Sequence, residues 1–254
     1  MDNTSVFSTT ELSAWKERTR LIPAEDFLIR NYLVAKRRTL EAGAGAGRIL
    51  FQMERMGFSS LHGIDVVYPL VAHARGKDRN GTISLSIQNA VQLAYKNASF
   101  DQIIYLQQVL CFIDDPALRT VAVNEAYRVL SPGGTALFSF LSFDSRISSA
   151  VYVPFLVYLR LARTVRGLRR SVQILPWLRL SGKFNWGAIL DRAPYVYWFR
   201  VNEAAELLRK AGFNITAVGS TRQLRQGMIY PSVQSLTVDR IHGMLYFVAT
   251  KTTA

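Results

Sequence analysis

Cysteine and histidine are scarce in this chain, which has one cysteine and three histidines among 254 residues. A single cysteine excludes an intramolecular disulfide and a thiolate metal cluster, and it is typical of proteins from a reducing compartment. We therefore expect a cytoplasmic protein. Three scattered histidines give no metal-binding pattern, so we expect no metal site.

Long apolar runs are absent as well, although hydrophobic residues make up 49% of the chain. No run approaches the ~20 residues that span a bilayer, and the first residues, Met1 to Arg20, do not resemble a signal peptide. The motif G-x-x-x-x-G-K-[ST] is missing, which excludes a nucleoside-triphosphate loop. The length suits one α/β domain with an inserted segment.

Acidic residues are few: 18 Asp and Glu stand against 31 Lys and Arg, for a formal net charge of +13. Between Arg146 and Leu190 there are basic residues and no acidic ones. Helical spacing in this segment predicts an amphipathic basic helix that ends near Pro176. Its apolar face would hold Leu161, Val165, Leu168 and Val172, and another face Arg163, Arg166 and Arg170.

This basic segment has several interpretations. Its arginines can simply form a solvated face. Together with its aromatic residues, the segment also suits an anionic or amphiphilic acceptor, and a basic amphipathic helix can lie on an anionic membrane. Nucleic acid is the least favoured partner, because charge alone supports it and no recognisable binding module accompanies that charge.

The most informative stretch is a run in which three glycines alternate with alanines. The residues before it can close a short buried strand, and the apolar residues after Gly47 recur at helical spacing. The turn itself, with Gly43, Gly45 and Gly47, has almost no side chains. A strand, a glycine turn and a helix N-terminus together let a ligand touch bare backbone, which predicts a bound cofactor.

The spacing of the glycines and the acid before them indicate which cofactor. Dinucleotide folds use G-x-G-x-x-G, whereas the spacing here is G-x-G-x-G, with Arg48 where the third glycine belongs. A carboxylate at Glu41 repels phosphate but can hold an ammonium group. This combination suits the amino-acid end of S-adenosylmethionine, which carries no phosphate. A merely flexible Gly/Ala turn is the alternative.

Acidic and amide residues follow the next predicted strands. Asp65 ends a second strand about 20 residues after the glycine turn, where an acid can accept hydrogen bonds from both ribose hydroxyls. Val66 comes next and can cover one adenine face. Asn89 and Ala90 follow a third strand, where an amide can bind the adenine edge. The pattern then predicts a fourth strand, a helix and a fifth strand, at 99–106, 116 to about 130, and 135–140.

These motifs, in this order, resemble the class I S-adenosylmethionine-dependent methyltransferases: E-A-G-A-G-A-G-R, G-I-D, S-F-D-Q-I-I and R-V-L-S-P-G-G. The resemblance covers residues 36–142 well and 198–219 more loosely. It implies a Rossmann-like, doubly wound α/β fold with a mixed seven-stranded sheet whose last strand, at 245–250, runs antiparallel. We expect one domain over 1–254, with a helical N-terminal cover at 1–38 and a basic aromatic lid insertion at 143–196.

The resemblance also assigns the cofactor site. It implies that Glu41 and the glycines surround the methionine part, that Asp65 holds the ribose, and that Gln107 lies near the methionine or the substrate. The full expected set is Glu41, Gly43, Gly45, Gly47, Asp65, Val66, Asn89, Ala90 and Gln107. Relatives often carry Asp where Asn89 stands, and histidine near Cys111, so this chain lacks one obvious candidate base.

Aromatic residues after the insertion are the candidate acceptor-binding residues. Tyr195, Tyr197 and Trp198 can line an acceptor pocket, and core packing is the alternative for them. His242 is the best-placed histidine for catalysis if its loop reaches the cleft, but a surface position is the favoured interpretation of it.

We expect the chain to transfer a methyl group from S-adenosylmethionine to a small-molecule acceptor, at an oxygen of a natural product or a sugar. Because a positive sulfur is a good leaving group, alignment does much of the work, and a base is needed only where the acceptor atom carries a proton. One alternative is a methyltransferase for a lipid or quinone at a membrane surface. Another is a non-catalytic S-adenosylmethionine-binding protein.

Overall fold

The computed structural model describes residues 2–253 as a mixed β-sheet with helices on both faces. In chain order, its strands are β1 (Thr39–Ala42), β2 (Leu61–Asp65), β3 (Ile83–Ile87), β4 (Phe100–Tyr105), β5 (Leu130–Leu141), β6 (Ile174–Pro176), β7 (Arg179–Leu180), β8 (Lys183–Phe184), β9 (Tyr195–Tyr197), β10 (Phe213–Ser220) and β11 (Met244–Lys251).

Helices connect most strands of the main sheet, as in a doubly wound fold. They are α1 (Asn3–Ser8), α2 (Leu12–Glu17), α3 (Pro23–Tyr32), α4 (Arg48–Arg55), α5 (Tyr68–Lys77), α6 (Pro116–Val129), α7 (Phe143–Ile147), α8 (Val153–Val165), α9 (Val201–Lys210), α10 (Thr221–Arg225) and α11 (Val233–Thr237). Short 3₁₀ helices occur at Val109–Phe112 and Trp186–Ala188. The Asp115 side chain caps α6 by accepting from the Ala117 N–H, at the predicted helix start.

Seven strands form one sheet in the order β10-β11-β5-β4-β1-β2-β3. The pairs among β1 to β5 are parallel, whereas β11 is antiparallel to both β5 and β10. The predicted Rossmann-like fold with an antiparallel last strand is therefore confirmed. The strand order reverses between β1 and β4, and ligands bind at the carboxyl ends of strands at such a point.

Alternate side chains of the central strands supply two apolar layers. In β4, Ile103 and Tyr105 pack with α6 and α9 residues on one face, and Ile104 packs with α3 and α4 residues on the other. This period of two is the ordinary geometry of a strand buried on both faces. The layers hold the strand ends, and therefore the site, in fixed positions.

The segment 143–196 departs from its predicted helix. The helix α8 begins at Val153 and ends at Val165, and Gly167 follows with a left-handed φ of +66°. Residues 174–176, where the predicted helix would end, form strand β6 instead. The prediction of a helix continuing to Pro176 is therefore wrong, because glycine readily adopts the left-handed conformation that breaks a helix.

The faces of α8 also differ from the prediction. Leu156, Leu159 and Arg163 are buried, whereas Leu161 and Val165 are 62% and 88% exposed. Arg163 turns inward because it forms a bidentate ion pair with Asp191, at 2.8 and 2.7 Å. The expected apolar face thus points outward and one of the expected solvated arginines is buried. Within residues 2–253, no helix is long and apolar enough to cross a membrane.

Candidate cofactor and acceptor site

A cleft of about 270 Å³ lies at the carboxyl ends of the central strands, at the reversal of strand order. We call it the main cleft. Its lining residues come from the loops after β1 to β4 and from the N-terminal helices: Asn3, Thr4, Phe7, Trp15, Gly43, Gly45, Ile64, Asp65, Val66, Val67, Leu70, Gln88, Asn89, Ala90, Val91, Gln107, Val109, Phe112, Ile113 and Leu118.

The glycine turn after β1 presents bare backbone to this cleft. Gly43 and Gly45 have φ values of +72° and +53°, a conformation that side chains rarely adopt. A Cβ atom on Gly43 would overlap the Val109 side chain. Both the conformation and the space therefore require glycine at this point, and the turn has room for a ligand only while it lacks side chains.

The Asp65 carboxylate holds the glycine turn from the neighbouring strand. One oxygen accepts a hydrogen bond from the Gly45 N–H at 2.8 Å, and the other accepts from the Val67 N–H at 2.8 Å. Burial raises the pKa of Asp65 above its ordinary value, and these backbone hydrogen bonds oppose that rise. Each oxygen keeps a second lone pair, so the carboxylate can still accept hydrogen bonds from a ligand.

Glu41 is fully buried, and neither of its carboxylate oxygens has a hydrogen-bond partner. Burial raises the pKa of this carboxyl well above its ordinary value, although the nearby Arg48 guanidinium lowers it in part. Unpartnered buried carboxylates are rare because they lose hydration without compensation. Glu41 lies in β1 two residues before Gly43, so its charge would attract an ammonium group bound in the glycine turn.

The structure brings together most of the predicted cofactor residues. Seven of them line the main cleft: Gly43, Gly45, Asp65, Val66, Asn89, Ala90 and Gln107. Glu41 and Gly47 lie outside the lining, and Gly47 instead precedes the first residue of α4 with a φ of +78°. The roles assigned to these residues toward a ligand stay predictions.

The predicted acceptor residues lie elsewhere. Tyr195 and Tyr197 donate their hydroxyl hydrogens to the Asp191 carbonyl and the Glu203 carboxylate, which ties β9 to its neighbours. Burial, with the bond to Glu203, raises the pKa of Tyr197 to about 12. Trp198 lines a smaller cavity, described below. None of the three lines the main cleft.

His242 is exposed, and its backbone N–H donates to the Ser220 hydroxyl at 3.1 Å. It does not line the main cleft. Among the lining residues, Asp65 alone carries an ionisable side chain. Within residues 2–253, no group of three or more His, Cys, Asp or Glu is placed to hold a metal ion.

Sequence reasoning missed the contribution of the first helix. Asn3 and Phe7 of α1 line the main cleft, as does Phe112 from the 3₁₀ helix after β4. The Asn3 amide donates to the Phe112 carbonyl at 3.1 Å, across 109 residues of sequence. No local pattern signals such a contact. The sequence predicted only a helical N-terminal cover at 1–38, and Trp15 in this range also lines the cleft.

The residues present fit S-adenosylmethionine. A glycine turn without side chains can receive the methionine part, the unpartnered Glu41 carboxylate suits its ammonium group, and Asp65 keeps lone pairs for ribose hydroxyls. Asn89 offers an amide and Val66 an apolar side chain for the adenine. The site contains no lysine or arginine in its lining for a pyrophosphate.

The fold is that of the class I S-adenosylmethionine-dependent methyltransferases. Residues 40–138 match the family described as "Methyltransferase domain". The predicted family resemblance is therefore confirmed, and so are the predictions that the chain is an enzyme and that its cofactor is S-adenosylmethionine. The family match favours an enzyme over the alternative of a non-catalytic binder.

Solved structures share the fold across most of the chain. A S-adenosylmethionine-dependent methyltransferase from Methanosarcina mazei matches with a TM-score of 0.67 at 20% identity, covering 89% of this chain and 98% of the other. A possible histamine N-methyltransferase from Thermotoga maritima matches with a TM-score of 0.59 at 19% identity, covering 97% and 99%.

Magnesium protoporphyrin IX methyltransferase from Synechocystis PCC 6803 matches with a TM-score of 0.59 at 13% identity, covering 98% of each chain. At such identities these structures show the fold and leave the acceptor open. No curated protein matches the chain significantly.

Proposed function

We propose that this enzyme methylates a hydroxyl oxygen of a small molecule such as a natural product or a sugar. The observation that carries the proposal is the Oδ1 atom of Asn3, a buried amide oxygen without a hydrogen-bond partner in a residue that lines the main cleft. The Asn3 Nδ2 group donates to the Phe112 carbonyl and to Asp114, which fixes the amide orientation. The Oδ1 atom is therefore left as a hydrogen-bond acceptor, and the hydroxyl group of an acceptor molecule can donate to it.

The walls around Asn3 support a small acceptor. Phe7 packs edge-on against Phe112 and Trp15, with ring centroids 5.0 and 5.7 Å apart. All these rings line the cleft, so an acceptor would bind between aromatic side chains that exclude water. We include in this proposal that segments 1–38 and 143–196 cover the bound acceptor.

Bound S-adenosylmethionine supplies a methyl group on a positively charged sulfur, which leaves as a neutral thioether. The chain contributes alignment: the glycine turn and Asp65 fix one reactant, and the aromatic walls with Asn3 fix the other. Asn3 orients the hydroxyl by accepting its hydrogen and leaves a lone pair of the hydroxyl oxygen free to attack. The hydroxyl proton is released to solvent, because Asp65, the one ionisable group in the lining, accepts from the glycine turn and is assigned to the ribose.

The test is a methylation assay on matched acceptors. The purified protein is incubated with S-adenosylmethionine and with hydroxylated aromatics or sugars, and with their amino and thiol counterparts, and products are detected by mass spectrometry. We expect methylated products from hydroxyl acceptors and a lower kcat/KM in Asn3→Leu. Thr4→Val, which alters a neighbouring lining residue, is the control. Methylation of amines alone, or an unchanged kcat/KM in Asn3→Leu, would overturn the oxygen assignment.

A second candidate function, methylation of a lipid or quinone at a membrane surface, has its own supporting observation. The outward face of α8 is apolar: Val157, Leu161 and Val165 are 53%, 62% and 88% exposed. Exposed arginines flank it at Arg160 and Arg166. An apolar strip with a basic rim suits the surface of an anionic bilayer. We include in this proposal that the enzyme is cytoplasmic and binds such a membrane reversibly.

Vesicle flotation tests this contact. We expect the protein to float with phosphatidylglycerol-containing vesicles at low salt, less at high salt, and not with pure phosphatidylcholine vesicles. The variant Leu161→Glu should lose flotation, whereas Val238→Glu, at an equally apolar site that is 91% exposed on another surface, should keep it. Equal flotation of both variants, or none by the wild type, would contradict membrane contact.

A further inference from the structure

A small cavity of about 60 Å³ lies beside the main cleft, in the segment after β5. We call it the side cavity. Its walls are largely apolar, and its polar side chains are Arg146, Trp177 and Trp198, which only donate hydrogen bonds, and Tyr152, whose hydroxyl can donate and accept. The other lining residues are Tyr152, Phe155, Leu156, Leu175, Pro176, Leu178 and Val196.

The Arg146 guanidinium is held between two aromatic rings. Its central carbon lies 3.5 Å from the centroid of Tyr152 and 4.0 Å from that of Trp198. Such stacking fixes the plane of the guanidinium while leaving its N–H groups free. Within residues 2–253, no carboxylate pairs with Arg146 and no acceptor takes its side-chain hydrogens. Burial lowers the pKa of Arg146 to about 10, so the group is still cationic at neutral pH.

The indole N–H groups of Trp177 and Trp198 also lack hydrogen-bond acceptors among residues 2–253. The Nε1 atoms of Trp177 and Trp198 are buried and have no hydrogen-bond partner in the described part of the chain. Buried indole N–H groups ordinarily find an acceptor, because leaving one unpaired costs free energy. The side cavity therefore combines one cation and two unpaired donors.

The acids nearest in the fold are engaged elsewhere. Asp144 accepts from the Val201 N–H at 2.7 Å and lies 3.7 Å from Arg200. Glu203 accepts from Gln173 at 2.7 Å, and Asp191 is bound by Arg163. None of these carboxylates forms an ion pair with Arg146 in residues 2–253, so a bound anion would be the partner of its charge.

Aromatic contacts connect the side cavity to the main cleft. Trp177 lines the side cavity, and its ring centroid lies 5.4 Å from those of both Phe7 and Phe112, which line the main cleft. Because these rings are packed in contact, Trp177 forms a wall that the side cavity shares with the main cleft.

We infer that the side cavity is an anion subsite in which Arg146, Trp177 and Trp198 bind a carboxylate-sized group of the acceptor. This inference rests on the proposed function, since it makes the acceptor a hydroxylated organic acid. A carboxylate there accepts hydrogen bonds from the guanidinium and the indoles in apolar surroundings, where charge-assisted bonds are strong. A neutral analogue of the same shape leaves all three donors unpaired.

Binding of a simple acid, without S-adenosylmethionine or methyl transfer, tests the subsite. Benzoate is titrated into ¹⁵N-tryptophan-labelled protein, with benzamide as the neutral counterpart, and indole resonances are assigned with Trp→Phe variants. We expect benzoate to shift the Trp177 and Trp198 resonances, to leave that of the exposed Trp186 in place, and to bind at least about tenfold more tightly than benzamide.

Charge variants complete the test. Arg146→Gln should weaken benzoate binding at least about tenfold, while Arg160→Gln, which removes an exposed arginine of the same segment, should not. Arg146→Lys should retain part of the affinity, and Trp198→Phe, which keeps an aromatic ring and loses the N–H, should also weaken binding. Equal shifts with benzoate and benzamide, or no shift at Trp177 and Trp198, would overturn the subsite.

Calorimetric titration of S-adenosylmethionine distinguishes failure of the anion subsite from failure of the proposed function. A protein that binds S-adenosylmethionine but shows no benzoate-specific shifts keeps the proposed function and loses the subsite. We expect Arg146→Gln to bind S-adenosylmethionine as the wild type does, since Arg146 does not line the main cleft.

Discussion

Arg48 and Glu25 form a buried, bidentate ion pair next to the glycine turn. The guanidinium nitrogens donate to the two carboxylate oxygens at 2.6 and 2.7 Å, and the side chains are 7% and 2% exposed. The pair links the first residue of α4 to α3. It also explains why an arginine stands where dinucleotide folds place a third glycine: here the position anchors a helix.

Breaking this pair on one side should be costly. We expect Glu25→Gln to lower the free energy of unfolding by about 3–5 kcal/mol, because the Arg48 charge stays buried without its partner. Asp26→Asn, which breaks the neighbouring exposed pair with Arg30, should cost less than about 1 kcal/mol. Urea unfolding measures both. Equal losses of unfolding free energy in Glu25→Gln and Asp26→Asn would show that burial does not determine the cost of breaking an ion pair here.

Removing the Asp65 carboxylate should weaken cofactor binding. We expect Asp65→Ala to reduce the affinity for S-adenosylmethionine at least about tenfold, because the turn loses its hydrogen bond at Gly45 and the ribose loses an acceptor. Asp101→Ala is matched, since Asp101 also accepts a backbone N–H, from Arg38, and it does not line the main cleft. Calorimetric affinities that fall equally in both variants would refute the specific role of Asp65.

Adding a side chain to the glycine turn should weaken S-adenosylmethionine binding more than the same substitution at a glycine outside the main cleft. Gly45 and Gly81 have φ values of +53° and +62°, so valine at either position strains the backbone by about 1–2 kcal/mol. Gly45→Val also places a branched side chain in the main cleft, whereas Gly81 has open space around it. We expect calorimetry to show much weaker S-adenosylmethionine binding only for Gly45→Val, with similar melting temperatures for both variants.

The buried Glu41 should make stability depend on pH. Its pKa in the folded protein is raised above the ordinary 4.5, so the folded state binds the proton more tightly than the unfolded state. Stability of the ligand-free protein should therefore decrease as pH rises from about 4.5 through the raised value. Glu41→Gln should remove this decrease and raise the melting temperature at neutral pH.

The control for this pH dependence is Glu206→Gln, which changes an exposed carboxylate paired with Lys210. Thermal melts over a pH series should show no comparable gain for that variant. If Glu41→Gln destabilised the protein at neutral pH, Glu41 would have a partner in solution that its buried, unpartnered oxygens do not show.

Sequence patterns predicted the sheet and the cofactor residues because these depend on local signals. A buried strand, a glycine turn and an acid at the next strand end recur within about 30 residues, as in any βαβ unit. Asp65, Asn89 and Gln107 each follow a strand, and the parallel arrangement carries all of them to one edge. Cys111 is also buried as a small apolar residue, with its pKa raised to about 12.

The acceptor side was harder to predict because long-range contacts determine it. The spacing around Arg163 indicated a solvated face, yet Asp191, 28 residues later, draws that side chain inward. Helical periodicity beyond residue 166 could not show that Gly167 adopts a left-handed conformation. Asn3 likewise enters the main cleft only through its contact with Phe112.

The position of β11 between two other strands has a consequence for biosynthesis. This strand lies between β5 and β10, so until residues 244–251 have been made, both neighbours present unpaired backbone edges. Open edges invite pairing with other chains. Fragments that stop before Met244 should therefore aggregate, and a nascent chain depends on shielding from neighbours until its final strand is in place.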